Sequence, residues 1–242
     1  MEKFYDITVA GVKRRLPIVQ ISDQLAVASF VMLGDCEVVC AAAQALKDKV
    51  PEADWLVTAE AKGIPLAHEL ARRLGMSRYI VARKSIKPYM EHPMDVTVNS
   101  ITTQKEQHLC LDGQDAEKIR GRRVLLVDDV ISTGESIEAI RTLVEKAGGN
   151  VVGKVCILTE GDPEKHKGII RLGNLPLFPV SEEFLGQYRL RAGGHCLDRP
   201  SGQGADAGRA GALQNRSSSD RAVPYAQHTG KAGSAGRPNA DR

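Results

Sequence analysis

No apolar run in this chain approaches the length needed to cross a bilayer, and no basic-apolar-small pattern at its start marks a secretory leader. Cysteine is sparse and scattered: Cys36, Cys40, Cys110, Cys156 and Cys196 show neither the repeated close spacing of a zinc site nor a small disulfide framework. Cys36 and Cys40 stand four apart on an expected helix, but two thiols with no His or further Cys nearby do not make a metal site. Reduced thiols in the cytoplasm are the expectation, with no membrane partner. Charge of one sign is lacking too. Against 33 Lys and Arg stand 30 Asp and Glu, and a net charge of +3 is too small to argue for nucleic acid. There is no G-x-x-x-x-G-K-[ST] loop, and no G-x-G-x-x-G follows a strand, which removes the two commonest nucleotide fingerprints. What is present is enough apolar material, 42% of 242 residues, for a real core.

Up to about Glu183, runs rich in Val, Ile and Leu alternate with helical patterns, the rhythm of a mainly parallel α/β sheet with crossover helices. Strands are expected at 55–58, 79–82, 124–127 and 152–158. Between Gly63 and Gly75 the residues Ile64, Ala67, Leu70, Ala71 and Leu74 form one helical stripe, with Pro65 in the first turn. Ile137, Ile140, Val144 and Ala147 form another, stopped by Gly148-Gly149, and residues 37–47 form a third. The polar stretch 86–107 is long enough for a mobile flap or a β-hairpin.

Beyond Glu183 the composition turns to Gly, Ala, Arg, Ser and Asp. Such text buries too little apolar surface to offset about 1–2 kcal/mol of ordering per residue, so 1–183 is read as the folded domain and 184–242 as a disordered tail. A basic RNA-binding tail is disfavoured by its interspersed acids and near lack of stacking aromatics. The abrupt change after "LPLFPV" also raises an out-of-frame or fused origin, which codon-position statistics across Glu183 test.

The most informative string is "VLLVDDVISTGES", residues 124–136. If 124–127 is a central strand, Asp128 and Asp129 emerge where open α/β sheets bind ligands, beyond the strand ends. Ser132, Thr133, Gly134, Glu135 and Ser136 then offer backbone N–H groups and hydroxyls at a helix N-terminus, an anion cradle suited to a phosphate monoester. Ionised carboxylates only accept hydrogen bonds, so beside a phosphate they match sugar hydroxyls or a hydrated Mg²⁺. A ribose 5-phosphate satisfies both halves. The plainer reading is a strand end with solvated acids and a capping turn.

The same string resembles the phosphoribosyl-pyrophosphate (PRPP) motif of the type I phosphoribosyltransferases: an apolar strand, two acids, two apolar residues, then small-Thr-Gly. Glu135 stands where many members have a small residue. "VTAEAKGIPLAHELARRLG", residues 57–75, resembles the pyrophosphate loop of the adenine branch, which assigns Glu60, Ala61, Lys62 and Gly63 to pyrophosphate and implies a non-proline cis peptide at Ala61–Lys62. "VARKSIKPYMEHPMDVTVNSITT" occupies the place of the flexible catalytic loop, with Lys84 and Lys87 meeting the pyrophosphate. The resemblance spans roughly residues 5–180. It implies a parallel twisted sheet flanked by helices, a small hood and a flexible loop, PRPP and a nucleobase as partners, Mg²⁺ held by Asp128 and Asp129 through water, and a homodimer.

The implied reaction is transfer of ribose 5-phosphate to a purine nitrogen with release of pyrophosphate, Asp128, Asp129, Lys84 and Lys87 being its catalytic residues. Hypoxanthine-guanine members carry an acid where Ser132 stands, so an adenine-like enzyme is expected, with xanthine or guanine as fallback bases. The base would lie against Val19 or Ile18 opposite Val130 and Ile131, although apolar residues in such positions are usually core. A PRPP-binding regulator without turnover is the other class, disfavoured because the few residues before the core leave no room for an N-terminal winged helix.

Overall fold

A computed structural model describes residues 4–99 and 106–180; the expected tail, 184–242, lies outside them. The central sheet is parallel, in the order β10-β9-β8-β4-β5, with β11 also paired to β9. Its main strands are β4 (Trp55–Ala59), β5 (Ile80–Ala82), β8 (Arg123–Ile131) and β9 (Asn150–Glu160), edged by β10 (Ile169–Ile170) and β11 (Gly173–Leu175). Helices α1 (Cys36–Leu46) and α2 (Ile64–Arg73) cover one face, α3 (Gly113–Ile119) and α4 (Glu135–Lys146) the other. Both faces are therefore dry, which explains why the strands read as continuous apolar runs.

Along β4 and the first part of β8 side chains alternate between the faces. Leu56, Leu125 and Val127 pack with Leu66, Ala67 and Leu70 of α2, whereas Val57, Val124 and Leu126 pack with Ile137, Ile140 and Val144 of α4. All are fully buried or within 2% of it, each large side chain contributing about 1.5–3 kcal/mol. Four residue pairs join β4 to β8, from Trp55↔Val124 to Thr58↔Val127. From β4 the chain crosses through α2 to β5 on one side; from β8 it crosses through α4 to β9 on the other. The loops after β4 and β8 thus diverge from one crevice, the switch point where open sheets bind ligands.

The N-terminal residues depart from the parallel rhythm. β1 (Phe4–Val9), β2 (Val12–Ser22) and β3 (Leu25–Ala28) form an antiparallel meander, completed by β12 (Leu177–Pro179) against β3. Ala10 and Gly11 both take positive φ, 48° and 84°, and close the two-residue turn that sets the first hairpin. This is the hood implied by the resemblance. The stretch expected as flap or hairpin is a hairpin, β6 (Met94–Asn99) with β7 (Glu106–Leu111), whose turn at 100–105 lies outside the described residues. Helix α3 is a single short element capped by Asp112, whose carboxylate accepts from the Gln114 N–H, and it is too brief to leave a periodic signal. Among the described residues no helix is long and apolar enough to cross a membrane.

Candidate functional site

Strand β8 does not stop at Val127. Its ladder with β9 runs on through Asp128↔Cys156 to Ile131↔Thr159, while its ladder with β4 ends at Thr58↔Val127. Both acids therefore stand inside the strand, past the end of its β4 neighbour. Beyond Val127 the alternation is broken, since Val130 packs on the α2 face and Ile131 on the α4 face. The strand expected at 124–127 is longer, because β9 holds it extended through both acids to Ile131.

Asp129 is 5% exposed, and its Oδ2 is buried without a hydrogen-bond partner. Its backbone N–H donates to Asp128 Oδ1 at 2.9 Å. Burial, and next the Asp129 charge, push the Asp128 carboxyl up to about 7, with Lys62 pulling the other way. Cys156, the register partner of Asp128, has its thiol pushed up to about 12 by burial first and by the Asp128 charge second.

These shifts carry a pH signature. The folded protein holds a proton on Asp128 at pH values where the unfolded chain, at the ordinary 3.8, has released it, so this group's contribution to stability falls as pH rises from about 4 to about 7. Glu69 acts oppositely: Arg72 foremost lowers it to about 2, and its contribution is present above 4.5 and lost as pH falls toward about 2. Asp128→Asn is therefore expected to raise the melting temperature more at pH 8 than at pH 5, as read by calorimetry. An equal shift at both values would remove Asp128 as the titrating group.

After Ile131 the chain turns through Ser132 and Thr133 to Gly134, which takes φ 84° and precedes α4 with no side-chain cap. A β-carbon is disfavoured in that left-handed conformation, so glycine belongs there. The Glu135 N–H reaches Thr133 Oγ1 at 3.4 Å, and Ser132, Thr133 and Ser136 are exposed. The turn is thus open to solvent at the positive end of a three-turn helix, as an anion cradle requires.

On the other side of the crevice the 60–63 loop leaves β4. Its cis bond is Glu60–Ala61, one bond earlier than expected. A β-carbon on Gly63 would lie 2.2 Å from Thr58 Oγ1 and 3.2 Å from both Asp128 Cα and Val127 O, so only glycine lets the loop press this closely on β8. Lys62 lies near enough for its charge to favour ionised Asp128. Glu60 has a different part from the one expected. Its carboxylate accepts from the Lys84 N–H at 3.0 Å and Arg83 Nε at 3.1 Å, which lower its pKa in that order. An ionised carboxylate has no proton to offer an anion, and this one ties the loop to the segment after β5.

That segment carries Lys84, exposed, and Lys87, whose Nζ donates to Ser85 Oγ at 2.7 Å and whose charge reaches Glu60. Arg83 also donates to Tyr89 Oη at 2.7 Å. Sequence reasoning passed over Arg83, which sits beside Lys84, and Thr58. The latter had a signal, a lone polar residue in the apolar strand "WLVTA".

The expected base contacts scatter. Val19 is half-buried in β2 opposite Val27, and Val130 is half-buried against the cluster on the α2 face. Ile131 is 2% exposed and packs with Ile137 and Ile140 beneath α4, on the opposite face from Val130.

A parallel sheet with paired acids, a pressed glycine loop and a solvent-exposed turn at a helix N-terminus meeting at its switch point defines an α/β domain with a polar crevice. Residues 37–181 match the phosphoribosyl transferase domain, and the chain belongs to that family. It is similar to a hypoxanthine/guanine phosphoribosyltransferase of Methanococcus voltae, 38% identical over 109 residues, 45% of this chain and 54% of the relative. It is also similar to an adenine phosphoribosyltransferase of Petrotoga mobilis, 30% identical over 124 residues, 50% of this chain and 68% of the relative. The chain spans about half the length of the first of these curated relatives. In fold it is similar to the adenine phosphoribosyltransferase of Thermoanaerobacter pseudethanolicus, with TM-score 0.51 and 23% identity over 71% of this chain and 95% of that one.

Proposed function

We propose that this protein transfers ribose 5-phosphate from PRPP to a purine base, releasing pyrophosphate. One observation carries the reading: a single strand, β8, touches the glycine loop at Asp128 and feeds directly into the exposed turn 132–136, so the sites for the two phosphate ends of PRPP lie either side of one acid pair. The 5-phosphate takes the backbone N–H groups of Ser132, Thr133, Gly134, Glu135 and Ser136, and the ribose hydroxyls donate to Asp128 and Asp129. Lys62, with the backbone of Ala61 and Gly63, meets the pyrophosphate, and Lys84 and Lys87 approach it from the neighbouring segment. Glu60 positions them.

The chemistry needs no nucleophilic side chain. Departure of pyrophosphate leaves an oxocarbenium-like ribosyl group that the base nitrogen captures with inversion, so positioning and screening of charge are the protein's work. Mg²⁺ fits the donor set: it prefers one or two carboxylates plus water and substrate phosphates to an all-protein cage, and Asp129 Oδ2 is a buried oxygen still lacking a partner. When bound it neutralises the leaving pyrophosphate. Asp128 and Asp129 would hold it through water.

Adenine is the first base to try, on the pyrophosphate loop and the absence of an acid at Ser132. Hypoxanthine, guanine and xanthine follow, since relatives carry both kinds of name. A cytoplasmic homodimer completes the proposal. Purified protein with PRPP, Mg²⁺ and each base in turn should yield one nucleoside monophosphate and stoichiometric pyrophosphate. Saturable PRPP binding with no product from any base would replace the enzyme with a PRPP-sensing regulator, and no binding would remove both.

A further inference from the structure

Cys36 and Cys40 carry chemistry that the phosphoribosyl reading does not use: both thiols are free and exposed. They stand one turn apart on α1, so they share a face, and both line one cavity of about 350 Å³. Its other walls are mostly apolar: Met32 before α1, Val39, Ile64 and Pro65 from the first turn of α2, and Tyr79 before β5. The carboxylates on its rim are already engaged, Asp35 by Arg14 and Glu69 by Arg72 and Arg73. Among the described residues no three His, Cys, Asp or Glu side chains are grouped to hold a metal ion, so the cavity offers two sulfurs over an apolar floor and no cage.

Geometry narrows what two such sulfurs can take. Residues four apart on a helix hold their β-carbons about 5–6 Å from each other, whereas a disulfide needs about 3.5–4.5 Å, so direct oxidation would have to deform α1. An atom placed between the sulfurs closes the gap with the helix intact. That atom must be soft, since thiolates select soft partners, and the apolar walls favour an apolar group on it.

We propose that Cys36 and Cys40 form a dithiol site for a soft, thiophilic centre carrying an apolar group, of which a trivalent organoarsenical is the simplest. Two As–S bonds form as the As=O bond and two S–H bonds break; both protons leave with the oxygen as one water, and arsenic stays trivalent. The apolar group fills the cavity against Ile64 and Pro65, which directly follow the pressed Gly63. Occupancy therefore acts on the start of α2; that this weakens the grip on pyrophosphate rests on the phosphoribosyl reading.

Phenylarsine oxide added to the full chain tests the site. Intact-mass measurement and thiol counting should show one phenylarsenic group gained and two thiols lost, with release by 2,3-dimercaptopropanol and not by a monothiol at the same thiol concentration. Cys36→Ser and Cys40→Ser, which replace exposed side chains, should each abolish this adduct, and methylarsine oxide should bind roughly tenfold more weakly than the phenyl compound. An adduct that survives either substitution, or none in the native chain, overturns the site; equal affinity for the methyl and phenyl compounds overturns the cavity's part. In calorimetric titration the adduct should bind PRPP at least about threefold more weakly than untreated protein, and unchanged affinity overturns the action on α2. If untreated protein does not bind PRPP, the phosphoribosyl reading is the one that fails, and thiol counting alone decides the site.

Discussion

Asp128→Asn combined with Asp129→Asn should leave a folded protein that has lost PRPP binding by at least about a hundredfold. In the proposed complex each carboxylate would supply charge-assisted hydrogen bonds to the ribose or to hydrated Mg²⁺, worth about 1.5–3 kcal/mol apiece, and the amide offers only a neutral oxygen in their place. Folding should survive for a reason visible in the ligand-free chain. Asp128 is already driven toward its protonated form by burial and by Asp129, so the pair weakens the native state near neutral pH. Calorimetric titration with PRPP and a thermal melt decide the matter together. Native affinity in the folded double variant removes the acids from the site; a double variant that fails to fold makes them structural.

The second large effect is expected at Gly63. Gly63→Ala places a carbon 2.2 Å from Thr58 Oγ1 and 3.2 Å from two backbone atoms of β8, and those backbone atoms are held in the ladder. The 60–63 loop must lift instead, carrying Lys62 away from Asp128. We expect about 1–3 kcal/mol of lost stability, typical of overpacking, and a loss of pyrophosphate affinity of tenfold or more. Adding Thr58→Ala removes the closest obstacle and should recover much of the stability; adding Thr58→Val, which keeps a carbon there, should not. Rescue by both or by neither would mean that the contact with Thr58 is not what fixes the loop.

The parts of the fold legible in the sequence were those in which chemistry and periodicity coincide. The helices α1, α2 and α4 declared themselves by apolar stripes bounded by proline or glycine, and "VLLVDDVISTGES" gave both the strand and the turn. What escaped depended on partners distant in sequence. The hood is closed by Leu177 pairing with Val27, 150 residues earlier, and no local pattern announces such a pairing. Likewise β8 continues through its acids because β9 stays beside it, which residues 124–131 alone do not reveal. Ile131 reads as a pocket residue by proximity to the motif, yet it packs under α4 with Ile137 and Ile140, because the alternation set by Leu126 and Val127 does not carry through the acids. Glu60 reads as part of an anion loop, and only the approach of Arg83 and Lys84 shows what its charge is for.

The short β4–β8 ladder has a further consequence. The crevice's two walls are carried by different crossovers that go to opposite ends of the sheet, so four residue pairs are the chief gauge of the distance between them. A slip of one step would exchange inward and outward side chains along the strand and move one wall of the crevice about 3.3 Å past the other. Selection for a fixed span between two anionic groups would then act on a stretch of buried aliphatic residues that never meets the substrate, while the connecting helices stay free to drift in length and surface.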